Sequence, residues 1–118
     1  MIGTTILEER DSKYNGQLRV LRTWGMGTYI QADGLTQSGG IVESIWKSTL
    51  KKVKDEEIKS ILILGLGGGT LAKLLRKKYP NAKITGVEID PIMIELGIKY
   101  LELDRYGIDI KIADTNKF

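Results

Sequence analysis

The stretch ILILGLGGGTLAKLL, residues 61–75, decides the fold of this 118-residue chain. Its first four residues form a short apolar run, which is typical of a strand buried on both faces of a parallel sheet. Four glycines follow within five positions, and residues 69–79 then predict a helix that ends before Pro80. A glycine turn between such a strand and a helix is expected to offer free backbone N–H groups and a positive helix end to a ligand. Glycine also permits positive φ and close approach to the main chain.

The residues that follow continue the alternation of strand and helix. A strand is predicted at residues 83–88, and Asp90 followed by Pro91 predicts a helix start with an N-cap and a first-turn proline. A third strand is predicted at residues 108–113, and residues 114–116 are typical of another helix start. This order predicts a parallel sheet with right-handed crossovers. Because the apolar first strand would keep an unpaired edge, we expect a truncated part of a larger α/β domain, or a chain that associates to cover that edge.

The residues before this stretch predict a small β-sheet or hairpin. β-rich runs occur at residues 4–7, 17–23 and 28–32, and the turn pair Asp33-Gly34 closes the last of them. Residues 41–53 then place their apolar side chains on one face of a helix. The fold class predicted for the chain is therefore α/β, with a small N-terminal sheet followed by a β-α-β-α-β unit.

The composition excludes several classes of function. The sequence contains no cysteine and no histidine, which excludes disulfides, thiolate or imidazole zinc sites and Ser-His-Asp or Cys-His mechanisms. Acid–base chemistry must then come from carboxylates, lysines or tyrosines, and no metal is expected. No apolar run reaches the ~20 residues of a membrane helix and the start of the chain is acidic, so we expect a cytoplasmic protein without a membrane partner. The net charge is +3, but the lysine clusters lack stacking aromatics and are interpreted as solvated helix faces rather than a nucleic-acid site.

The glycine loop has an acidic partner on the next predicted strand. Glu88 follows Gly69 by 19 residues and can accept hydrogen bonds from both hydroxyls of a ribose. Thr70 breaks the dinucleotide pattern G-x-G-x-x-G, whereas Gly65, Gly67 and Gly69 match the G-x-G-x-G loop of class I S-adenosylmethionine-dependent transferases. No G-K-[ST] follows, so a Walker loop is excluded. The structural alternative is that the glycines only permit tight strand–helix packing and that Glu88 is a solvated strand end.

Several segments together resemble the spermidine synthase (polyamine aminopropyltransferase) family. They are ILILGLGGGTLAKLL, GVEIDPIMIELGIKYL and IKIADTNKF, preceded by SKYNGQLRVL and YIQADGLTQS. The resemblance implies a small β-domain at residues 1–40 that mediates oligomerisation, so a homo-oligomer is expected. Residues 41–118 would be the N-terminal part of a Rossmann-like nucleoside-binding domain of the class I methyltransferase fold.

The resemblance also assigns site residues, position by position. The glycines would lie beside the nucleoside, Glu88 would hold the ribose, Ile89 and Asp90 would flank the adenine, and Asp114 would accept from the adenine amino group. Gln37 matches a glutamine near the substrate channel. The nucleoside-binding set is then Gly65, Gly67, Gly68, Gly69, Glu88, Ile89, Asp90, Asp114 and Gln37. Tyr14 and Gln17 lie near the positions that contact the thioether arm, although the local spacing differs.

The sequence departs from the family at three points. Gly68 occupies the position of an aspartate that anchors the amine of decarboxylated S-adenosylmethionine, which removes the electrostatic basis for preferring that donor. The family's D-E-x-x-Y-[HQ]-E run corresponds to residues 42, 43 and 46–48, where only Glu43 is retained and Lys47 would repel a polyamine unless it faces solvent. The catalytic aspartate of the family, a general base, is expected beyond Phe118.

Three hypotheses follow. The first is an aminopropyltransferase-like enzyme of polyamine biosynthesis, which uses S-adenosylmethionine or its decarboxylated form as co-substrate and a small-molecule amine as acceptor. The second is an S-adenosylmethionine-dependent methyltransferase. The third is a non-catalytic module that binds a nucleoside or mediates oligomerisation.

Overall fold

The computed structural model describes residues 3–54 and 56–117, which form two sheets and three α-helices; Phe118, the last residue of the motif ADTNKF, lies outside the described residues. The N-terminal half contains the four strands β1 (Thr4–Ser12), β2 (Gly16–Thr23), β3 (Gly27–Ala32) and β4 (Leu35–Gly39), followed by helix α1 (Gly40–Leu50). The second half contains β5 (Ser60–Leu64), α2 (Thr70–Lys78), β6 (Lys83–Glu88), α3 (Pro91–Leu101) and β7 (Ile108–Ile112), with 3-10 turns at Leu103–Tyr106 and Thr115–Lys117.

The N-terminal sheet is an antiparallel meander in the order β1-β2-β3-β4. The predicted turn pair Asp33-Gly34 is confirmed: both residues have positive φ, 46° and 83°, as a two-residue turn between antiparallel strands favours. Strand β1 extends to Ser12, five residues beyond its predicted end, because it pairs with β2 along its whole length. Strand β4 was not predicted, since its mostly polar residues lack β-branched alternation; its pairing with β3 across the turn creates it.

The second sheet is parallel, in the order β5-β6-β7, as predicted. Helices α2 and α3 supply its two crossovers. The predicted start of α3 is confirmed, because the Asp90 carboxylate accepts a hydrogen bond from the backbone N–H of Ile92 and Pro91 occupies the first turn. Helix α2 begins after Gly69, which has a left-handed φ of 99° that glycine adopts without strain.

Helix α3 is shared by two hydrophobic cores. Ile94 packs in the core beneath the parallel sheet, together with Ile63, Ile84, Leu75 and Leu103. Met93 and Leu96, on the other side of the helix, pack in the core of the antiparallel sheet, with Leu18, Val20 and Ile30. The two sheets are thereby fastened to opposite sides of one helix.

The expectation that residues 61–64 are buried on both faces is wrong. Ile63 is 5% exposed, but its neighbours Leu62 and Leu64 are 52% and 57% exposed. Ile61 and Ile63 contact the core that includes α2 and α3, since successive right-handed crossovers in one direction place both helices on the same side of the sheet. The opposite face of β5 therefore stays open in the part of the chain that the structure describes.

None of the helices in residues 3–54 and 56–117 is long and apolar enough to span a membrane.

Candidate functional site

A cleft of about 190 Å³ lies where the antiparallel sheet, α1 and the glycine loop meet. Its lining comes from the β1–β2 turn, β4, α1, the glycine loop and the end of β6, and includes Asn15, Gln37, Trp46, Gly65, Gly67 and Glu88. The cleft thus brings together four of the nine residues that the sequence assigns to the nucleoside site. Gly65, Gly67 and Glu88 come together because β5 and β6 are parallel, so that their carboxyl ends meet at one edge of the sheet, and β4 of the antiparallel sheet adds Gln37.

The backbone N–H groups of the glycine loop are not free, contrary to expectation. Each donates within the chain: Gly65 and Leu66 to the Val87 carbonyl (both 2.9 Å), Gly67 to Glu88 Oε1 (2.8 Å), Gly68 to Ser38 Oγ (2.7 Å) and Gly69 to the Leu66 carbonyl (3.2 Å). The loop is held by β6 on one side and by β4 on the other, which the local sequence does not reveal. An anionic phosphate needs several uncommitted N–H groups, so this loop is unsuited to cradle one.

The glycines of the loop are required for different reasons. A Cβ at Gly68 would lie 2.9 Å from Ile30 Cδ1 and from Ser38 Cβ, so the antiparallel sheet fills the space of a side chain. A Cβ at Gly65 would meet nothing within 4 Å, but its φ of 83° favours glycine. Tight packing, the structural alternative, therefore explains Gly68, whereas Gly65 borders the open cleft.

Glu88 is positioned by the loop that it faces. Its Oε1 accepts from the Gly67 N–H at 2.8 Å and its Oε2 accepts from the Asp90 N–H at 3.1 Å, and the residue is only 8% exposed. The alternative of a solvated strand end is wrong. Each carboxylate oxygen retains a second acceptor site, so Glu88 can still accept hydrogen bonds from two hydroxyl groups in the cleft.

Asp90 joins the two halves of the chain. It is 0% exposed, and its carboxylate accepts from the Ser12 hydroxyl, from Asn15 Nδ2 at 2.7 Å and from the Ile92 N–H at 2.9 Å. Burial opposes ionisation, but the hydrogen bonds from Ser12 and Asn15 outweigh it and lower the pKa of the Asp90 carboxyl below its usual value. The buried Asp90 side chain offers no surface to an adenine; it anchors the β1–β2 turn instead.

The remaining predicted residues lie at the margins. The Ala113 N–H donates to the Glu88 carbonyl at 3.0 Å, which places Asp114 just beyond the end of β6, where its Oδ1 accepts from the Asn116 N–H at 2.9 Å. Ile89 is half-buried between Glu88 and Asp90. Gly69 borders a separate cavity of about 310 Å³ on the other side of the loop.

Glu43 and Lys73 form an ion pair of 2.7 Å in that second cavity. The hydrogen bond between them lowers the pKa of Glu43 and raises that of Lys73. Lys47 lines a third groove, between α1 and α2, with Leu50 and Leu74. It therefore does not line the cleft beside Glu88, and the expected repulsion of an amine there has no basis.

Tyr14 and Gln17 do not line the cleft. Gln17 Nε2 donates to Glu9 Oε2 at 3.0 Å on the outer part of the sheet, and Tyr14 is 44% exposed. Asn15, between them, lines the cleft instead. Sequence reasoning missed Asn15 and also Ser38, whose hydroxyl holds the loop; no local pattern marks either residue, because both act through contacts with distant segments.

Comparisons with curated proteins find relatives of two kinds. The chain is 46% identical over 56 residues, 48% of its length, to the eEF1A lysine and N-terminal methyltransferase homolog of Drosophila pseudoobscura pseudoobscura. It is 45% identical over 47 residues, 40% of its length, to a probable polyamine aminopropyl transferase of Bifidobacterium longum (strain NCC 2705). Spermine synthase SPE4 of Saccharomyces cerevisiae aligns with 97% of the chain, at 29% identity over 123 residues. These alignments cover 8%, 10% and 41% of the respective relatives.

Solved structures resemble the chain over nearly its whole length. The spermidine synthase from Thermotoga maritima has a TM-score of 0.71 at 25% identity, covering 92% of this chain and 41% of that one. A spermidine synthase in complex with the transition state analogue AdoDATO has a TM-score of 0.70 at the same identity and coverage. No protein-family model matches the chain.

The resemblance to spermidine synthases is therefore confirmed in sequence and in structure. The fold prediction is confirmed as well, since a small antiparallel sheet precedes a parallel β-α-β-α-β unit of the Rossmann-like kind. The chain spans less than half the length of these relatives.

Proposed function

We propose, on the premise of this resemblance to spermidine synthases, that the chain binds an S-adenosylmethionine-type nucleoside and takes part in transferring its aminopropyl group to an amine. The observation that carries the proposal is the cleft that unites Glu88, the glycine loop and Gln37. Glu88 would accept hydrogen bonds from the ribose hydroxyls while the loop backbone lies beside the thioether arm. The alignment of 97% of the chain with a spermine synthase supports the same reaction class.

None of the described residues needs to form a covalent bond with the substrates in this reaction. The nitrogen lone pair of the amine attacks the carbon next to the sulfonium, the carbon–sulfur bond breaks, and its electrons pass to sulfur, which leaves as a neutral thioether. The amine loses one proton to a base. The described residues would contribute by orienting the nucleoside, because held reactants avoid much of the entropic cost of encounter.

The charges of the cleft favour the decarboxylated donor. Glu88 is the one charged side chain among the described residues that line it, and no lysine or arginine of residues 3–54 and 56–117 does so. The N–H groups of the glycine loop are already occupied and no described lysine or arginine lines the cleft, so the carboxylate of S-adenosylmethionine would lack a cationic partner there. Decarboxylated S-adenosylmethionine carries one more net positive charge and no carboxylate, which suits a site of negative charge.

Calorimetric titration with both nucleosides tests the proposal. The chain should bind decarboxylated S-adenosylmethionine more tightly than S-adenosylmethionine, and Glu88→Gln should weaken both by about 10- to 100-fold through the loss of charged hydrogen bonds to ribose. Glu102→Gln, at a residue that does not line this cleft, is the matched control and should leave the affinities unchanged. Absence of binding of either nucleoside to the unaltered protein at millimolar concentration would contradict the proposal. Product formation with putrescine as acceptor then tests the transfer.

Methyl transfer is the second candidate. Two observations favour it: the 46% identity to an eEF1A methyltransferase homolog over 56 residues, and the crowding at Gly68, which leaves no room for the aspartate of the aminopropyltransferases. In that case S-adenosylmethionine should bind more tightly than its decarboxylated form. Nucleoside binding without turnover, under any pair of donor and acceptor, would leave the non-catalytic module as the function.

A further inference from the structure

Trp46 presents an aromatic wall to the cleft beside Glu88. Helix α1 has no buried residue, and Trp46 on it is 37% exposed, which is a large open surface for an indole that also lines a cleft. Val42, four residues earlier and so on the same face of the helix, lines the cleft as well. The wall is therefore apolar and aromatic: in the run D-E-x-x-Y-[HQ]-E of the aminopropyltransferases, Val42 replaces the aspartate and Trp46 replaces the tyrosine.

The charge distribution around this wall is uneven. The chain carries 18 lysines and arginines and a net charge of +3, yet none of the described ones lines the cleft. Lys47, the immediate neighbour of Trp46, lies in the groove on the other side of α1. An aromatic face with one carboxylate and no cation nearby is the environment in which a positive charge without hydrogen-bond donors is stabilised.

We infer that Trp46 recognises the sulfonium cation of the donor and so distinguishes the charged donor from its neutral thioether product. This inference rests on the proposed function, because it takes the nucleoside to occupy the cleft. A sulfonium has no N–H or O–H to donate, so the face of an indole within about 6 Å is a suitable partner. Once the carbon–sulfur bond breaks, sulfur becomes neutral and the attraction is lost, which favours release of the product.

The two tryptophans of the chain make the location testable. Trp24 is 92% exposed in the β2–β3 turn and does not line the cleft. Trp24→Phe therefore leaves Trp46 as the single tryptophan and Trp46→Phe leaves Trp24, and excitation at wavelengths that tyrosine does not absorb makes the emission report that tryptophan alone. S-Adenosylmethionine should change the emission of the Trp24→Phe protein in a saturable manner. It should leave the emission of the Trp46→Phe protein unchanged. A response from Trp24 alone would overturn the inference.

Calorimetry of the charged and neutral ligands tests the recognition itself. Trp46→Leu should lower the affinity for S-adenosylmethionine by about 5- to 30-fold. It should lower the affinity for S-adenosylhomocysteine, whose sulfur is neutral, by less than about 3-fold, since only apolar contact is lost. Trp46→Phe retains an aromatic face and should recover most of the affinity for the charged ligand. Circular dichroism of each variant reports whether the fold is retained.

The outcomes separate the two claims. If the unaltered protein binds neither S-adenosylmethionine nor its decarboxylated form, the proposed function fails and the inference fails with it. If Trp46→Leu lowers the affinity for S-adenosylmethionine and S-adenosylhomocysteine by the same factor, or if Trp46→Phe is no better than Trp46→Leu, the nucleoside site stands and the sulfonium role of Trp46 is overturned. A selective loss of the charged ligand that the phenylalanine variant reverses supports it.

Discussion

The two sheets bury their apolar side chains in different ways. In the antiparallel sheet, Leu18, Val20 and Ile30 are 0% exposed against α3. In the parallel sheet, Ile63 is buried while Leu64, its neighbour on the strand, is 57% exposed. Where apolar and polar residues alternate along a strand, the apolar ones identify the face that packs on the core. A continuous apolar run does not show which face is buried, because either face could pack on a helix.

The largest effect should come from matched leucine truncations in the two sheets. Leu18→Ala removes a fully buried side chain and should lower the free energy of unfolding by about 2–5 kcal/mol through lost transfer energy and a residual cavity. Leu64→Ala makes the same chemical change at an exposed position and should cost below about 1 kcal/mol. Urea unfolding measures both. Equal losses would mean that the outer face of β5 is covered in solution and that the contrast between the sheets is wrong.

The next effect concerns the contact between α3 and the glycine loop. A Cβ at Gly97 would lie 2.7 Å from the Gly68 carbonyl oxygen and 3.0 Å from Gly68 Cα, which are backbone atoms that cannot rotate away. Gly97→Ala should therefore destabilise the fold by about 1–3 kcal/mol and weaken nucleoside binding, although alanine is the better helix former.

Ser48→Ala is the control for helix preference. Ser48 is exposed on α1, so this substitution should be neutral or stabilise the fold by about 0.5 kcal/mol. Thermal denaturation of the two variants shows whether each substitution raises or lowers the stability of the fold. A stabilising Gly97→Ala would show that the loop does not press on α3.

The smallest effect lies at the polar margin between the antiparallel sheet and α3. Hydrogen bonds from Lys99 Nζ (2.7 Å) and the Tyr100 hydroxyl (2.6 Å) lower the pKa of Glu8 from its ordinary 4.5 to about 2. A depressed folded-state pKa contributes stability above the unfolded value, which is lost as pH falls from 4.5 toward 2. Glu8→Gln should therefore cost about 1–2 kcal/mol at pH 7, after allowance for solvent screening, and much less near pH 2.

Glu102→Gln is the comparison for Glu8→Gln, because Glu102 also forms an ion pair, but an exposed one. Its partner is Arg105, three residues later on the chain, at 3.4 Å. That pair should contribute less than about 0.5 kcal/mol at any pH. Urea unfolding at several pH values measures both variants. A cost of Glu8→Gln that does not change with pH would show that the carboxylate charge is not what fastens β1 to α3.

Much of the fold follows from local patterns. The boundaries of β6, the capped start of α3 and the turn at Asp33-Gly34 were all predicted, because a hydrophobic period, an N-cap and a glycine turn each act within a few residues. Strand β4 could not be predicted from its own residues. Its hydrogen-bond partners belong to β3, and it is the tertiary pairing that orders its mostly polar residues.

The candidate site was predictable in part. The spacing of the glycine loop and Glu88 placed both at one edge of the sheet, and the structure brings them within 2.8 Å of each other, from Gly67 N to Glu88 Oε1. The role of Asp90 and the presence of Asn15 in the cleft were not predictable. Asn15 and Asp90 are 75 residues apart in sequence, and no local pattern reports such a contact.

The sequence by itself determined the order of the elements and the location of the glycine loop, because backbone preferences and hydrophobic periods are properties of neighbouring residues. Only the tertiary structure decided how that loop is used. Its N–H groups donate to Ser38, Val87 and Glu88, and its position 68 has no space for a side chain. The physical reason is that hydrogen-bond satisfaction and close packing depend on whichever distant segments the fold brings into contact.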